Sequence, residues 1–351
     1  MDDCLFCGAR LIARATGIGA VVAAAPLATL CGASTALGQA DNFYAGKTVT
    51  LAVGFTPGGG NDAYARLLAR HFGRHLPGNP TVIVQNMPGA ASSKPVLHRD
   101  AGAPRDGTVI ASFGPDIIPL SLFEPDKMKI NFSRLAWVGS ITRDQRVCYA
   151  WGGSAITGWN DLFDKAKTFN VGASSAGSNA YSSASILKHM FGANATIIMG
   201  YPGSAEQRIA IERGELDGGC GSWTSVPADW IRDRKIVPLV RFSPTPTPDM
   251  PAMTYIGDVA KSARDKQLLN LLLAAAEVGR PYVASLAIPA DRLAALRNGF
   301  DATMSDAAFV AESEKLGGPV SPVPGAEAAK LIDAIYASPP ELIAAAREIV
   351  K

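Results

Sequence analysis

The stretch TVTLAVGFTPGGGNDAYARLLARHF, Thr48 to Phe72, passes from an apolar run through one proline and three glycines into an acid and then a helical pattern. Residues 49–55 read as a buried strand and 61–76 as an amphipathic helix. In that helix Tyr64, Leu67, Leu68, Phe72 and Leu76 recur at helical spacing, while Arg66, Arg70 and Arg74 share another face. A glycine loop between a strand and a helix lets backbone come close to a ligand. The helix end supplies unpaired N–H groups and the positive end of a dipole, which together attract anions.

The same alternation continues outward. Strands are expected at 81–85, 109–113, 147–151, 170–173, 196–199, 216–220 and 236–241, with helices running to about Phe191 and Arg213. NMPGA (86–90) reads as a turn. This pattern predicts α/β layers with largely parallel sheets. SPTPTPDMP (243–251) is the clearest break, because repeated X-Pro bonds impose an extended path. Helical patterns dominate beyond it, at 260–278, 290–303, 307–316 and 326–350.

A chain of 351 residues suggests two domains, and 48% hydrophobic with 18% charged residues describes a packed globular protein. The 33 basic and 31 acidic residues nearly balance, which leaves no electrostatic footprint for nucleic acid. Residues 17–30 form an uncharged stretch too short to span a bilayer comfortably, preceded by Arg10 and Arg14 and ending in the small residues of Gly38-Gln39-Ala40. This reads as an export signal cleaved after Ala40, with a periplasmic mature protein. Cleavage removes Cys4, Cys7 and Cys31. Cys148 and Cys220 remain, too few for a zinc site. An oxidising compartment permits a disulfide between them, but the expectation here is two buried thiols. LLNLLLAAA (268–276) is the most apolar later segment and reads as a buried helix.

The glycine loop can be tested against known chemistries. A phosphate loop needs Lys and Ser/Thr after its last glycine, and Gly60-Asn61 stands there instead. Gly58, Gly60 and Ala63 match a dinucleotide fingerprint, but the next strand ends in Gln85-Asn86 rather than an acid, and Pro57 occupies the tight turn. A second loop, GASSAGSNAYSSA (172–184), repeats the context of strand, small polar loop and helix, with Ser178 or Asn179 as its cap. Gly172-x-Ser174 resembles half of a nucleophile elbow, yet the only later histidine, His189, lies on the helix that follows. His71 and His75, spaced i, i+4, lack the glutamate of a zinc protease and read as helix-flank residues; His98 is equally unsuited to a triad. No cofactor, metal or catalytic residue is expected. Two donor-rich loops without Lys or Arg suggest a clamp that grips a carboxylate by backbone N–H groups.

These motifs resemble those of the exported solute-binding receptors of tripartite tricarboxylate transporters, the Bug proteins. GFTPGGGND (54–62) is similar to the family's Pro-Phe-x-Pro-Gly-Gly-x-x-Asp, with Gly54 at the first proline. NMPGA, PRDG (104–107), the spacing of Tyr201, Gly203, Gly214 and Asp217, PDMPAMT (248–254) and AIPADRLAAL (287–296) resemble further blocks in the family's order. The likeness covers about 300 residues, nearly the whole mature chain. It implies a type II periplasmic binding protein fold, two α/β domains with a hinge and a central ligand cleft. Residues 41–141 with 243–351 would form one domain and 142–242 the other. It implies a monomeric receptor for a small organic anion that works with membrane permease subunits. A sensory receptor, or an enzyme using a similar cleft, are the alternatives. The implied ligand contacts are Phe55, Pro57, Gly58, Gly59, Gly60, Asn61, Gly114, Ser174, Ser175, Gly177, Ser178, Asn179, Tyr201 and Gly203, with Asp62 and Asp217 structural nearby. Where the family often has a histidine at the second helix start, Tyr181 or Ser182 stands here, and Pro202 replaces its basic residue. The carry-over therefore rests on backbone. Gly59 is expected to tolerate no side chain, through crowding of the ligand or a positive φ.

Overall fold

A computed structural model describes residues 43–316 and 318–351. The export signal, its cleavage point and Cys4, Cys7 and Cys31 lie outside the described residues.

Twelve described strands build two six-stranded sheets. They are β1 Thr48–Val53, β2 Thr81–Asn86, β3 Val109–Ser112, β4 Ala136–Ser140, β5 Arg146–Trp151, β6 Phe169–Ala173, β7 Ala195–Met199, β8 Gly218–Ser222, β9 Ile236–Arg241, β10 Thr254–Tyr255, β11 Pro281–Ala284 and β12 Val323–Pro324. The first sheet has the order β12-β4-β11-β3-β1-β2 and the second β10-β9-β5-β8-β6-β7. The quoted stretch supplies β1 of the first, between β3 and the edge strand β2. β1 pairs in parallel with β2 (Thr48 opposite Thr81) and with β3 (Thr50 opposite Val109). Flanked on both edges and covered by the Gly60–Phe72 helix, it buries Val49, Leu51, Ala52 and Val53 completely. That explains its near-continuous apolar run.

The second sheet repeats the plan: β6 lies parallel to β7 and β8. In each sheet a strand runs antiparallel against this trio, β11 against β3 and β5 against β8. The sheets are therefore mixed rather than largely parallel. The physical reason is connectivity. The chain leaves the first sheet after β4, builds the second, and returns to insert β11 between β3 and β4, so the inserted strands run against their neighbours. β10 pairs with β9, which carries the second sheet past the boundary expected at 242.

The helical tail follows the expected pattern at Ala290–Met304 and Ala307–Lys315. The stretch expected as one helical pattern at 326–350 is two helices, Gly325–Tyr336 and Pro340–Ile349. Pro339 and Pro340 stand at the break, where missing N–H groups and fixed φ stop the first helix and suit the start of the second. Leu268, Leu269, Leu271 and Leu272 of the LLNLLLAAA segment are buried in the Ala263–Leu273 helix. The arginine face of the Gly60 helix is not solvated at random. Arg70 pairs with Glu312 at 2.6 Å and Arg74 with Asp306 on the Ala307 helix and its cap, with His71 and His75 beside them at 2.5 and 2.7 Å from the same two acids. No helix among the described residues is long and apolar enough to cross a membrane.

Candidate functional site

A cavity of about 300 Å³ opens where loops from both sheets meet. Its walls are mainly the segments that follow the C-terminal ends of β1, β2, β3, β6, β7 and β8, with the last residues of β8 itself and Arg280, just before β11. Loops beyond the carboxyl ends of parallel strands are the usual place for a ligand in α/β folds.

Besides the Ile117–Phe123 helix, whose first N–H groups bond back to Gly114 O and Pro115 O, three helices start at this cavity. The Gly60–Phe72 helix has Gly59 as its N-cap, at φ −84°, with no side chain to satisfy the first-turn N–H groups. The Ser204–Glu212 helix begins the same way from Gly203. The Asn179–Ser185 helix is capped by Ser178, whose Oγ accepts from Tyr181 N at 3.3 Å and donates to Ser175 O at 2.8 Å. That hydroxyl proton is committed to the loop itself. Of the expected contacts, Phe55, Gly59, Gly60, Asn61, Gly114, Ser174, Ser175, Gly177, Ser178, Asn179 and Gly203 line one cavity.

Three expected contacts do not. Pro57 and Gly58 shape the turn behind the wall, Gly58 at φ +87°. The Tyr201 ring packs on Gly172, where a Cβ would meet it at 2.9 Å. Gly59 needs no positive φ, and a Cβ there would approach only Ser204 Oγ, at 3.3 Å. Its neighbour Gly60 is the crowded one: a Cβ would lie 2.5 Å from Ser225 Oγ and 3.3 Å from Arg280 Nη2.

Asp62 and Asp217 stay off the cavity wall and hold backbone. Asp62 Oδ2 accepts from Gly58 N at 2.9 Å and Arg66 Nε at 3.0 Å, and Oδ1 from Asn86 Nδ2 at 2.8 Å. Burial pushes this carboxyl up, but Arg66, the Gly58 N–H and Asn86 together hold it below the usual carboxylate range. Asn86 Nδ2 also donates to Phe55 O at 3.0 Å, tying β2 to the glycine loop. Asp217 Oδ2 accepts from Asn170 N and Nδ2 at 2.8 and 2.7 Å, bracing the start of β6.

The turn after β2 contributes more than the sequence suggests. Ala90, Ala91 and Ser92 line the cavity, and all three have positive φ (48°, 53° and 71°). Non-glycine residues in this region store about 1–3 kcal/mol each and persist only where surroundings hold them. Ser92 Oγ accepts from Gly114 N at 2.9 Å, and a Cβ on Gly177 would meet Ala91 Cβ at 2.9 Å, so the strained turn is wedged against the second loop.

Two ionisable side chains on the wall escape any reading of the loops: Asp116 and Arg280. Both are buried, and a chain of polar contacts links them. Arg280 Nη1 donates to Ser222 Oγ (3.4 Å); Asn179 Nδ2 donates to Ser222 Oγ (3.1 Å) and Asp144 Oδ2 (3.3 Å); Arg146 donates to Asp144 (3.1 Å) and Asp116 (2.7 Å). Burial pushes the Asp116 carboxyl up, and Arg146 offsets this only in part. None of the four histidines lines the cavity.

Cys148 and Cys220 form a disulfide, where two thiols were expected. The reason is register: the residues stand directly opposite on antiparallel β5 and β8, with Cα atoms 4.1 Å apart. Pairing of distant strands was not readable from the spacing of the cysteines.

No family model matches the chain, and neither does any curated protein. Solved structures do. The periplasmic binding protein BugD is 19% identical, with a TM-score of 0.68 over 87% of this chain and 97% of its own. MatC from Rhodopseudomonas palustris, solved with bound malate, is 18% identical (TM-score 0.64, 87% and 99%). Rpa4515 of R. palustris, solved with adipate, is 19% identical (TM-score 0.67, 86% and 98%). The likeness is one of fold: the two mixed sheets follow the plan of these structures, and the chain has the type II periplasmic binding protein fold.

Proposed function

We propose that this chain is an exported receptor of the tripartite tricarboxylate transporter type, capturing a small organic carboxylate and delivering it to a membrane permease. The observation that carries this reading is the convergence of three helix N-termini on one cavity, two of them started by glycines without a capping side chain. Unpaired N–H groups and dipole ends favour an anion. A cavity of about 300 Å³ is at the small end of ligand sites, which suits a compact acid. The motif resemblance supports the family, and the malate and adipate bound by structures of the same fold support the ligand class. In this reading residues 41–141 with 243–351 and residues 142–242 are two lobes joined by a hinge, with β10 reaching from the first lobe's segment to pair with β9 of the second, and the protein binds without turnover.

A thermal-shift screen of the mature protein against malate, adipate, citrate, benzoate and glutamate tests the ligand class. Binding to the native state alone raises stability by about 2.7 kcal/mol at a hundredfold excess over Kd. A screen in which every acid leaves the melting curve unmoved rejects it. Export is tested by N-terminal sequencing, which should find Asp41 first; Met1 on the abundant form rejects it.

A further inference from the structure

We infer that Arg280 is the side chain that meets the ligand carboxylate, at the Gly60 end of the cavity. The inference rests on the receptor reading above and adds a cation to a site otherwise built from backbone donors.

Arg280 is almost entirely buried, at 2% exposure, and it lines the cavity. Among the described residues, its guanidinium contacts neutral groups: Ser222 Oγ, Gly279 O at 3.0 Å, Thr224 Oγ1 at 3.3 Å and the face of Tyr64. Its Nε has no hydrogen-bond partner there. Arg146, equally buried, is held by two carboxylates. In the polar chain described above, Arg280 reaches Asp144 only through Ser222 and Asn179.

A buried guanidinium contacted only by dipoles is expensive to keep. Its position sharpens the point, since Nη2 lies against Gly60, the first residue of a 13-residue helix whose cap has no side chain. A cation beside the positive end of a helix dipole is unfavourable unless an anion sits between or beside them. Asp62, the acid of that first turn, is turned away and occupied by Gly58, Arg66 and Asn86. A ligand carboxylate in the cavity would meet the free helix N–H groups and the guanidinium together. Arginine suits this task because its donor fork matches carboxylate geometry.

The test uses Arg280→Gln in the full mature protein and the five acids named above, by thermal shift and calorimetry. The variant should melt no lower than wild type without ligand, and the best acid should bind at least about thirtyfold more weakly. Affinity within threefold of wild type overturns the inference while leaving the receptor reading intact. A wild-type protein that responds to none of the acids removes the reading and the inference with it. If Arg280→Gln does not fold, a crystal structure of wild type with the best acid decides. A carboxylate oxygen within about 3.2 Å of the guanidinium supports the assignment. A carboxylate held elsewhere overturns it.

Discussion

Asp62 accepts from Gly58, Arg66 and Asn86 at once, so its removal should be felt in the loop rather than in the ligand. Asp62→Asn cannot accept all three bonds and should cost about 1–3 kcal/mol. Urea denaturation checks the loss, and calorimetry should show the order of preference among acids unchanged. Its depressed pKa gives a pH dependence with a definite sign. The stabilisation is fully present above the unfolded-state value of about 3.9 and disappears as pH falls through the lower folded value. Asp306, held down by His75 and Arg74, and Glu312, held down by His71 and Arg70, add to the same acid limb at the surface. Melting temperature should therefore show no loss from these acids between pH 7 and about 5, and should fall below about pH 4; a flat curve to pH 3 would contradict this. The glycines separate in the same spirit. Gly60→Ala must displace the Ser225 hydroxyl and press on Arg280, whereas Gly59→Ala has only Ser204 Oγ to accommodate. By calorimetry, binding of the best acid should be lost in the first and largely kept in the second.

At the scale of elements, the strained turn 90–92 is the part of the cavity most exposed to test. Ala91→Gly removes the Cβ penalty of a left-handed residue, roughly 1–2 kcal/mol, though a more flexible unfolded chain returns part of it. We expect a melting temperature at or above wild type and weaker acid binding, because the turn is no longer held in one conformation. Lower stability would mean that Ala91 contributes more by packing on Gly177 than it loses to strain. This turn also marks where the sequence stops being legible. The units at 48–72 and 169–185 are plain, because apolar runs, glycines and helical periodicity change together at their boundaries. NMPGA shows a turn, but its handedness beyond Gly89 depends on the contacts of Ser92 with Gly114 and of Ala91 with Gly177, glycines that arrive from other segments. β11 is only Pro281–Ala284, wholly buried and without alternation, and β4 is also buried throughout. Neither has a period to read, and the first sheet is incomplete without them. Missing β11 means missing Arg280, which sits beside it and enters the cavity only because the chain returns to the first sheet.

For the whole molecule, the link between Cys148 and Cys220 is a covalent constraint across a long stretch of chain. Closing a separation of 72 residues restricts the unfolded chain by about 4 kcal/mol on the entropy model, and measured bonds typically give about 2–4. The double variant Cys148→Ala, Cys220→Ala should lose that range in urea denaturation; an unchanged midpoint would mean that native strain cancels the gain. The bond joins two strands of one sheet and none of the other. It also closes a covalent ring, and the ring encloses the starts of the Asn179 and Ser204 helices while leaving the Gly60 helix outside. Two of the three donor ends thus belong to a cyclic piece of chain, and the third to a linear one. Cutting the ring by reduction should slacken one bank of the cavity and spare the other. The protein can then be dissected chemically, without mutation, into the half of its grip that depends on oxidation and the half that does not.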